Sequence, residues 1–252
     1  MGFARIPALA FAVVWLQGQA PEAKYPEWPR RIEFSGQTWI VKTSGEKTTG
    51  PGGNRFSDGK ENVWVDDAGR LHLRITRKDG KWLCAEVVSL KSFGYGRYVF
   101  RSSSRVDLLD PNVVLGLFTW SDAPAHAHRE IDIEFARWGK AGDPTNAQFV
   151  VQPFQRPGNL KRYAANLADR EKATHAFEWR EDKVLFTSFY GHSAEPAKPG
   201  DVILAHTYAG KDVPRHGDEN VRLNLWLSEP AGPSDGKEAE AVIDEFKFVL
   251  PR

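Results

Sequence analysis

Arg129-Glu130-Ile131-Asp132-Ile133-Glu134-Phe135 is the stretch on which the reading of the whole chain turns. Acids occupy every second position, and Ile131, Ile133 and Phe135 fill the alternate ones. Successive side chains of a β-strand point to opposite faces. The three carboxylates therefore share one face and the three apolar residues share the other. Spacing alone leaves two readings open. One is a solvated outer strand face. The other is a set of like charges held together because they do chemistry.

Working outward, the neighbouring apolar runs repeat this parity. In the run from Val113 to Trp120, Val113, Leu115 and Leu117 are core-like, while Val114, Gly116, Phe118 and Trp120 point the other way. Phe149 and Val151 oppose Gln148 and Gln152, and Val221, Leu223, Leu225 and Leu227 oppose Arg222, Asn224 and Trp226. A sheet with an aliphatic back and a front of acids, amides and Trp suits a carbohydrate cleft. Aromatic rings stack on the apolar faces of sugars, and amides and carboxylates bond the hydroxyls. Large aromatics on a wet face without a ligand are unusual.

The remaining sequence sets the frame. Its 252 residues suffice for one large β domain. A hydrophobic content of 41% and a charged content of 27% are ordinary for a globular chain. A net charge of +1, with no basic run, argues against nucleic acid as partner. Residues 1–20 read as a secretory signal: Arg5, an apolar run from Ile6 to Leu16 too short to span a bilayer, and small Gly18 and Ala20 before a cleavage point. The expectation is a secreted or periplasmic protein with no membrane association after cleavage. Residues 21–31 are expected to be a loose N-terminal arm, and residues 32–252 a single domain.

Cys84 is the only cysteine, so no internal disulfide exists, and its strand-like surroundings point to a buried, inert thiol. The Gly-rich loop from Thr43 to Lys60 lacks the Gly-Lys-Ser/Thr ending of a phosphate cradle. Beyond it, short strands alternate with turns such as Asp79-Gly80, and Trp82 to Leu90 reads as one strand. Leu160 to Arg170 is the one stretch read as a short helix. The fold class expected is all-β: a jelly-roll sandwich of two curved antiparallel sheets with a concave substrate cleft. With no long apolar edge in evidence, a monomer is expected.

Glu130-Ile-Asp132-Ile-Glu134-Phe135, together with Leu83-Cys84-Ala85-Glu86, Tyr95-Gly96-Arg97-Tyr98, Leu117-Phe118-Thr119-Trp120, Ala176-Phe177-Glu178-Trp179, Asn224-Leu225-Trp226 and Ile243-Asp244-Glu245-Phe246, resembles glycoside hydrolase family 16 from about Trp39 to Leu250. The resemblance implies a retaining endo-β-glycanase, with a polysaccharide, most simply a 1,3- or 1,3-1,4-β-glucan, as its partner. It implies Glu130 as nucleophile, Glu134 as general acid/base and Asp132 as the assisting carboxylate. Asn54, Glu86, Phe118, Trp120, Gln148, Asn224 and Trp226 fall where relatives line sugar subsites, and Trp138 is a further platform or a packed loop residue. No cofactor is implied for catalysis. Asp244 matches a side chain that holds a structural calcium in many relatives; an ordinary strand-end acid is the alternative. A transglycosylase on the same residues, or a non-catalytic glycan-binding module of this fold, are the rival functions.

Geometry adds a demand. Residues four apart on a flat strand are separated by about 13 Å, whereas a retaining glycosidase needs its two carboxyls ~5–5.5 Å apart. A curved catalytic strand is therefore expected. Departures from the family pattern bear on substrate. Val88 and Val150 stand where mixed-linkage glucanases of the family commonly carry Arg and Asn, and the extra motif residue usual in laminarin, agar and carrageenan hydrolases is absent. Arg222 is expected to pair with an acid of the site. The loop from Ser121 to Arg129 should shape one end of the cleft, and its His126 and His128 read as solvated rather than metal-binding.

Overall fold

The computed structural model describes residues 28–168 and 170–251, so the expected leader of residues 1–20 lies outside the described residues. Sixteen strands form two antiparallel sheets. The first runs in the order β1 (Arg31–Phe34), β2 (Gln37–Val41), β6 (Ala85–Ser89), β15 (Asn220–Leu227), β8 (Val113–Trp120), β9 (Ile131–Phe135), β10 (Ala147–Val151) and β11 (Leu160–Tyr163). The second runs β14 (Val202–Tyr208), β13 (Val184–Tyr190), β12 (Ala173–Trp179), β7 (Gly96–Ser102), β16 (Ala239–Val249), β4 (Leu71–Lys78) and β3 (Val63–Val65), with β5 (Lys81–Leu83) beside β4. This is the jelly-roll sandwich expected from the sequence.

Parity decides which face of the first sheet looks outward. Ile131, Ile133 and Phe135 are fully buried, as are Leu115, Leu117, Leu223 and Leu225 on the flanking strands. Burying each such side chain contributes about 1.5–3 kcal/mol, and slipping β9 by one residue would turn all three of its apolar side chains out. The register is thus fixed from behind, and the carboxylates are held on the outer face as a consequence. Rings from both sheets close the core: Phe149 stacks on Phe186 at 4.8 Å, Trp39 meets Phe246 edge-on at 5.4 Å, and Phe135 touches His175 at 4.7 Å.

Three local expectations need correction. The run from Trp82 to Leu90 is two strands in different sheets, broken at Cys84, whose backbone is held by Arg55 and Ser57. Leu160 to Arg170 is not a helix. Its first residues form edge strand β11 because they pair with β10, and tertiary pairing outweighs local propensity there. The N-terminal arm is not loose throughout: Arg30 donates to the carbonyls of Asp58 and Val63, and β1 begins at Arg31. Cys84 is buried as expected, and burial pushes its thiol up to about 12, where it is no nucleophile.

Candidate active site

Strand pairing assembles the site row by row on the outer face of the first sheet. Glu134 lies opposite Gly116 on one side and Gln148 on the other. Gly116 in turn pairs with Asn224, and Asn224 with Glu86. One level along, Asp132 lies between Phe118 and Val150, and Phe118 pairs with Arg222. Glu130 precedes β9, and its carbonyl accepts the Gln152 backbone N–H at 3.1 Å. Residues that are scattered between positions 28 and 226 thus meet around one cavity of about 380 Å³, lined by Trp28, Lys42, residues 49–51, Glu86, Phe118, Trp120, Asp122, the three carboxylates, Arg222, Asn224 and Trp226.

The carboxylates form an under-compensated group. Glu130, Asp132 and Glu134 all have pKa values raised above the ordinary range, and burial is the first cause in each. The charge of Glu134 pushes Glu130 up further, while Arg222 and a hydrogen bond with Asp132 pull it down. That same bond pushes Asp132 up, so a proton shared by the two belongs on Asp132. Asp132 Oδ2 is buried and meets no donor, which also suits a protonated acid. Glu134 is pulled down by Gln148, whose amide donates to it at 2.6 Å, and by the charge of Arg162.

Several residues expected to bind sugar are engaged elsewhere. Gln148 accepts from Arg162 and Trp138 while donating to Glu134, so it orients the acid. Glu86 accepts from Lys42 at 2.9 Å, Arg222 at 3.3 Å and Asn224 at 3.4 Å, so both its oxygens are occupied. Asn54 does not reach the cavity: it is buried, and its amide is spent on the carbonyls of Pro51 and Leu227. Trp138 packs edge-on against Trp226 at 5.9 Å, a supporting position. Trp120 lines the cavity, but the ring of His128 lies against it at 4.0 Å and 11°. Asn224 Oδ1 meets no donor but is buried against the sheet, whereas Phe118 and Trp226 line the cavity, so these two are the expected sugar contacts that remain available.

Sequence reading did not single out Lys42, Trp28, Asp122 or Arg162 for the site. Gln152 was legible by its parity with Gln148, and its side chain lowers the pKa of Asp132 against the larger push of burial. Lys42 and Trp28 carried no signal, because they come from a distant strand and from the N-terminal arm. Gly116 is explained by a close approach. A Cβ there would sit 2.5 Å from Asn224 Oδ1, so only glycine lets the amide lie over the strand.

The loop entering β9 is strained. Ala127, His128 and Arg129 have φ of 48°, 56° and 49°, a left-handed run that costs an L-residue roughly 1–2 kcal/mol each. His126 is exposed, as expected, whereas His128 is half-buried on Trp120.

Asp244 is the extra residue where the pairing of β16 with β7 shifts register, and its Oδ2 is buried without a hydrogen-bond partner. That orphaned oxygen suits a cation. The surrounding side chains do not: His192 faces it at 4.0 Å, and among the described residues no group of three or more His, Cys, Asp or Glu could hold a metal. Calcium takes roughly six to eight oxygen ligands, and the side chains here supply one carboxylate.

No family model and no curated protein sequence matches the chain. Solved structures do. A Bacillus licheniformis β-glucanase superposes with a TM-score of 0.60 at 20% identity, covering 93% of this chain and 100% of that one. A prokaryotic β-1,3-1,4-glucanase (lichenase) derived from a mouse hindgut metagenome gives 0.60 at 24% identity, covering 86% and 94%. A glycoside hydrolase family 16 protein from Mycobacterium smegmatis gives 0.58 at 17% identity, covering 92% and 96%. At these identities the likeness is one of fold.

Proposed function

We propose that the protein is a retaining endo-β-glycanase that hydrolyses a neutral β-glucan, 1,3- or 1,3-1,4-linked, by double displacement. The observation that carries this reading is the group of three carboxyls on one face, Asp132 buried and Glu130 and Glu134 half-buried, raised in pKa and set in a cavity walled by Phe118, Trp120 and Trp226. A glycan-binding module has no need of such a group.

The ionised Glu130 carboxylate attacks the anomeric carbon as the glycosidic bond breaks. Glu134, neutral at the start, gives its proton to the departing oxygen. It then takes a proton from the water that cleaves the glycosyl ester, which returns Glu130 to its carboxylate form. Asp132 holds the proton it shares with Glu130, so Glu130 stays ionised beside two other acids. Phe118 and Trp226 line the cavity as the aromatic contacts for a sugar. Arg222, the cation that could select an anionic glycan, is spent on Glu86, on Asn220 at 2.8 Å and over the ring of Trp120, which favours an uncharged chain.

The test is a panel of neutral and anionic polysaccharides with sizing of the products. Oligosaccharides released from a neutral β-glucan, with the β configuration in the first product seen by NMR, are expected. Absence of cleavage across the panel defeats the reading. We also propose that the protein is exported as a monomer with loss of residues 1–20. N-terminal sequencing of the mature protein should begin at Pro21, and its sedimentation should fit one chain.

A further inference from the structure

Among the described residues, seven other than glycine have a left-handed φ, and three of them, Ala127, His128 and Arg129, stand in a row immediately before Glu130. Strain placed next to reacting groups persists only when its surroundings hold it. Here the holding contacts converge on His128. Its ring lies parallel to the Trp120 indole at 4.0 Å, and its Nδ1–H donates to the Ser121 carbonyl at 2.9 Å. Its own carbonyl accepts the Ser121 N–H at 2.7 Å. Next to it, Arg129 donates to Ser121 Oγ at 3.0 Å, and the Arg129 carbonyl accepts from Thr119 Oγ1 at 2.9 Å. The end of β8 and the start of β9 are thus strapped together across one strained turn, and the first residue to leave it is Glu130.

We propose that His128 is a positioning residue for Glu130: stacked on Trp120, it holds the left-handed turn that delivers this carboxylate beside Asp132. Trp120 in this view is an anchor for the turn, with one face given to His128 rather than to sugar. The role rests on Glu130 being the catalytic carboxylate. His126, exposed in the same turn, supplies an internal control.

The experiment compares His128→Ala, His128→Gly, His128→Phe and His126→Ala. Two readouts are used: steady-state kinetics on the cleaved glucan, and a carbon-13 titration of the Glu130 carboxyl without substrate, assigned with Glu130→Gln. His128→Ala should lower kcat about 10- to 100-fold with KM within about twofold, the size expected of a misplaced reacting group. His128→Gly, which accepts a left-handed φ without strain, should fold normally and lose kcat equally. His128→Phe, which keeps the stack, should recover most of it, and His126→Ala should match the parent. The Glu130 titration should shift from that of the parent in the first two variants only. Unchanged kcat in His128→Gly, or a loss confined to KM, overturns the proposal, the latter because the stack would then serve the sugar. If the parent cleaves no glycan, the proposed function falls, and an unmoved Glu130 titration alone would then refute the positioning role.

Discussion

Glu130, Asp132 and Glu134 line one wall of the cavity, and Lys42, Glu86 and Arg222 line the other. Both groups are largely buried, both lie on the outer face of one sheet, and they behave oppositely. In the second group, two cations face one carboxylate that is 1% exposed, every Glu86 oxygen has a donor, and Lys42 also bonds the Gly50 carbonyl at 2.7 Å and sits 4.0 Å from the Phe56 ring. In the first group three acids share one face, with cations only at its edges, and their pKa values rise. Buried charge that is matched builds a wall; buried charge that is unmatched holds protons, and held protons are what acid/base chemistry uses.

The largest expected effect breaks the unmatched group. Glu134→Gln should lower hydrolysis by about 10²–10⁴-fold, and Glu130→Ala by more. Neither should lower the melting temperature, since each removes one acid from beside two others. Turnover retained in Glu130→Ala would remove it from the nucleophile's place.

Glu86→Ala attacks the matched group and should do the reverse. It leaves two buried cations without their carboxylate, a loss of about 3–5 kcal/mol. For a domain of this size that lowers the melting temperature by roughly 10 °C. A variant that melts with the parent would show that this cluster is not holding the wall.

Titration sharpens the contrast further. The three acids have folded pKa values above their unfolded ones, so the folded protein binds more protons than the unfolded chain. Stability is then fully present below the ordinary carboxylate range near ~4, and it is lost as pH rises through the raised values. Thermal melts from acid to mildly alkaline pH should show this decline, and Glu130→Gln with Asp132→Asn should flatten it. Activity should fall on the alkaline side as Glu134 loses its proton. A pH-independent melting point would contradict the raised pKa values.

The smallest effect probes the seam between the two groups. Gly116→Ala places a Cβ against Asn224 Oδ1 and must push the amide aside. Loss of about one hydrogen bond, the one from Asn224 to Glu86 at 3.4 Å, should lower the melting temperature by about 2–4 °C. An unchanged melting temperature would show that the amide moves aside without cost.

What the sequence could reveal followed from local rules. Alternation is a property of neighbouring residues, so the strand from Ile131 to Phe135, the parity of β8, β10 and β15, and the shared face of Glu130, Asp132 and Glu134 were all legible in advance. Arg222 pairing with an acid was legible too, although not which acid. The break at Cys84 was not, because the chain changes sheets there without changing its apolar character. The edge strand at Leu160 was hidden for a related reason: an edge strand draws its order from its partner.

The sequence by itself determined which residue types share a face and so what chemistry the carboxylates can do. Only the tertiary structure decided which of the surrounding groups stay free. Asn54, Glu86, Gln148 and Asn224 look equally fit to bind sugar in the sequence, yet each spends its side-chain hydrogen bonds on the protein, while Phe118 and Trp226 stay on the cavity. Hydrogen-bond capacity is fixed by residue type, but its use depends on partners that only the fold brings within about 3 Å.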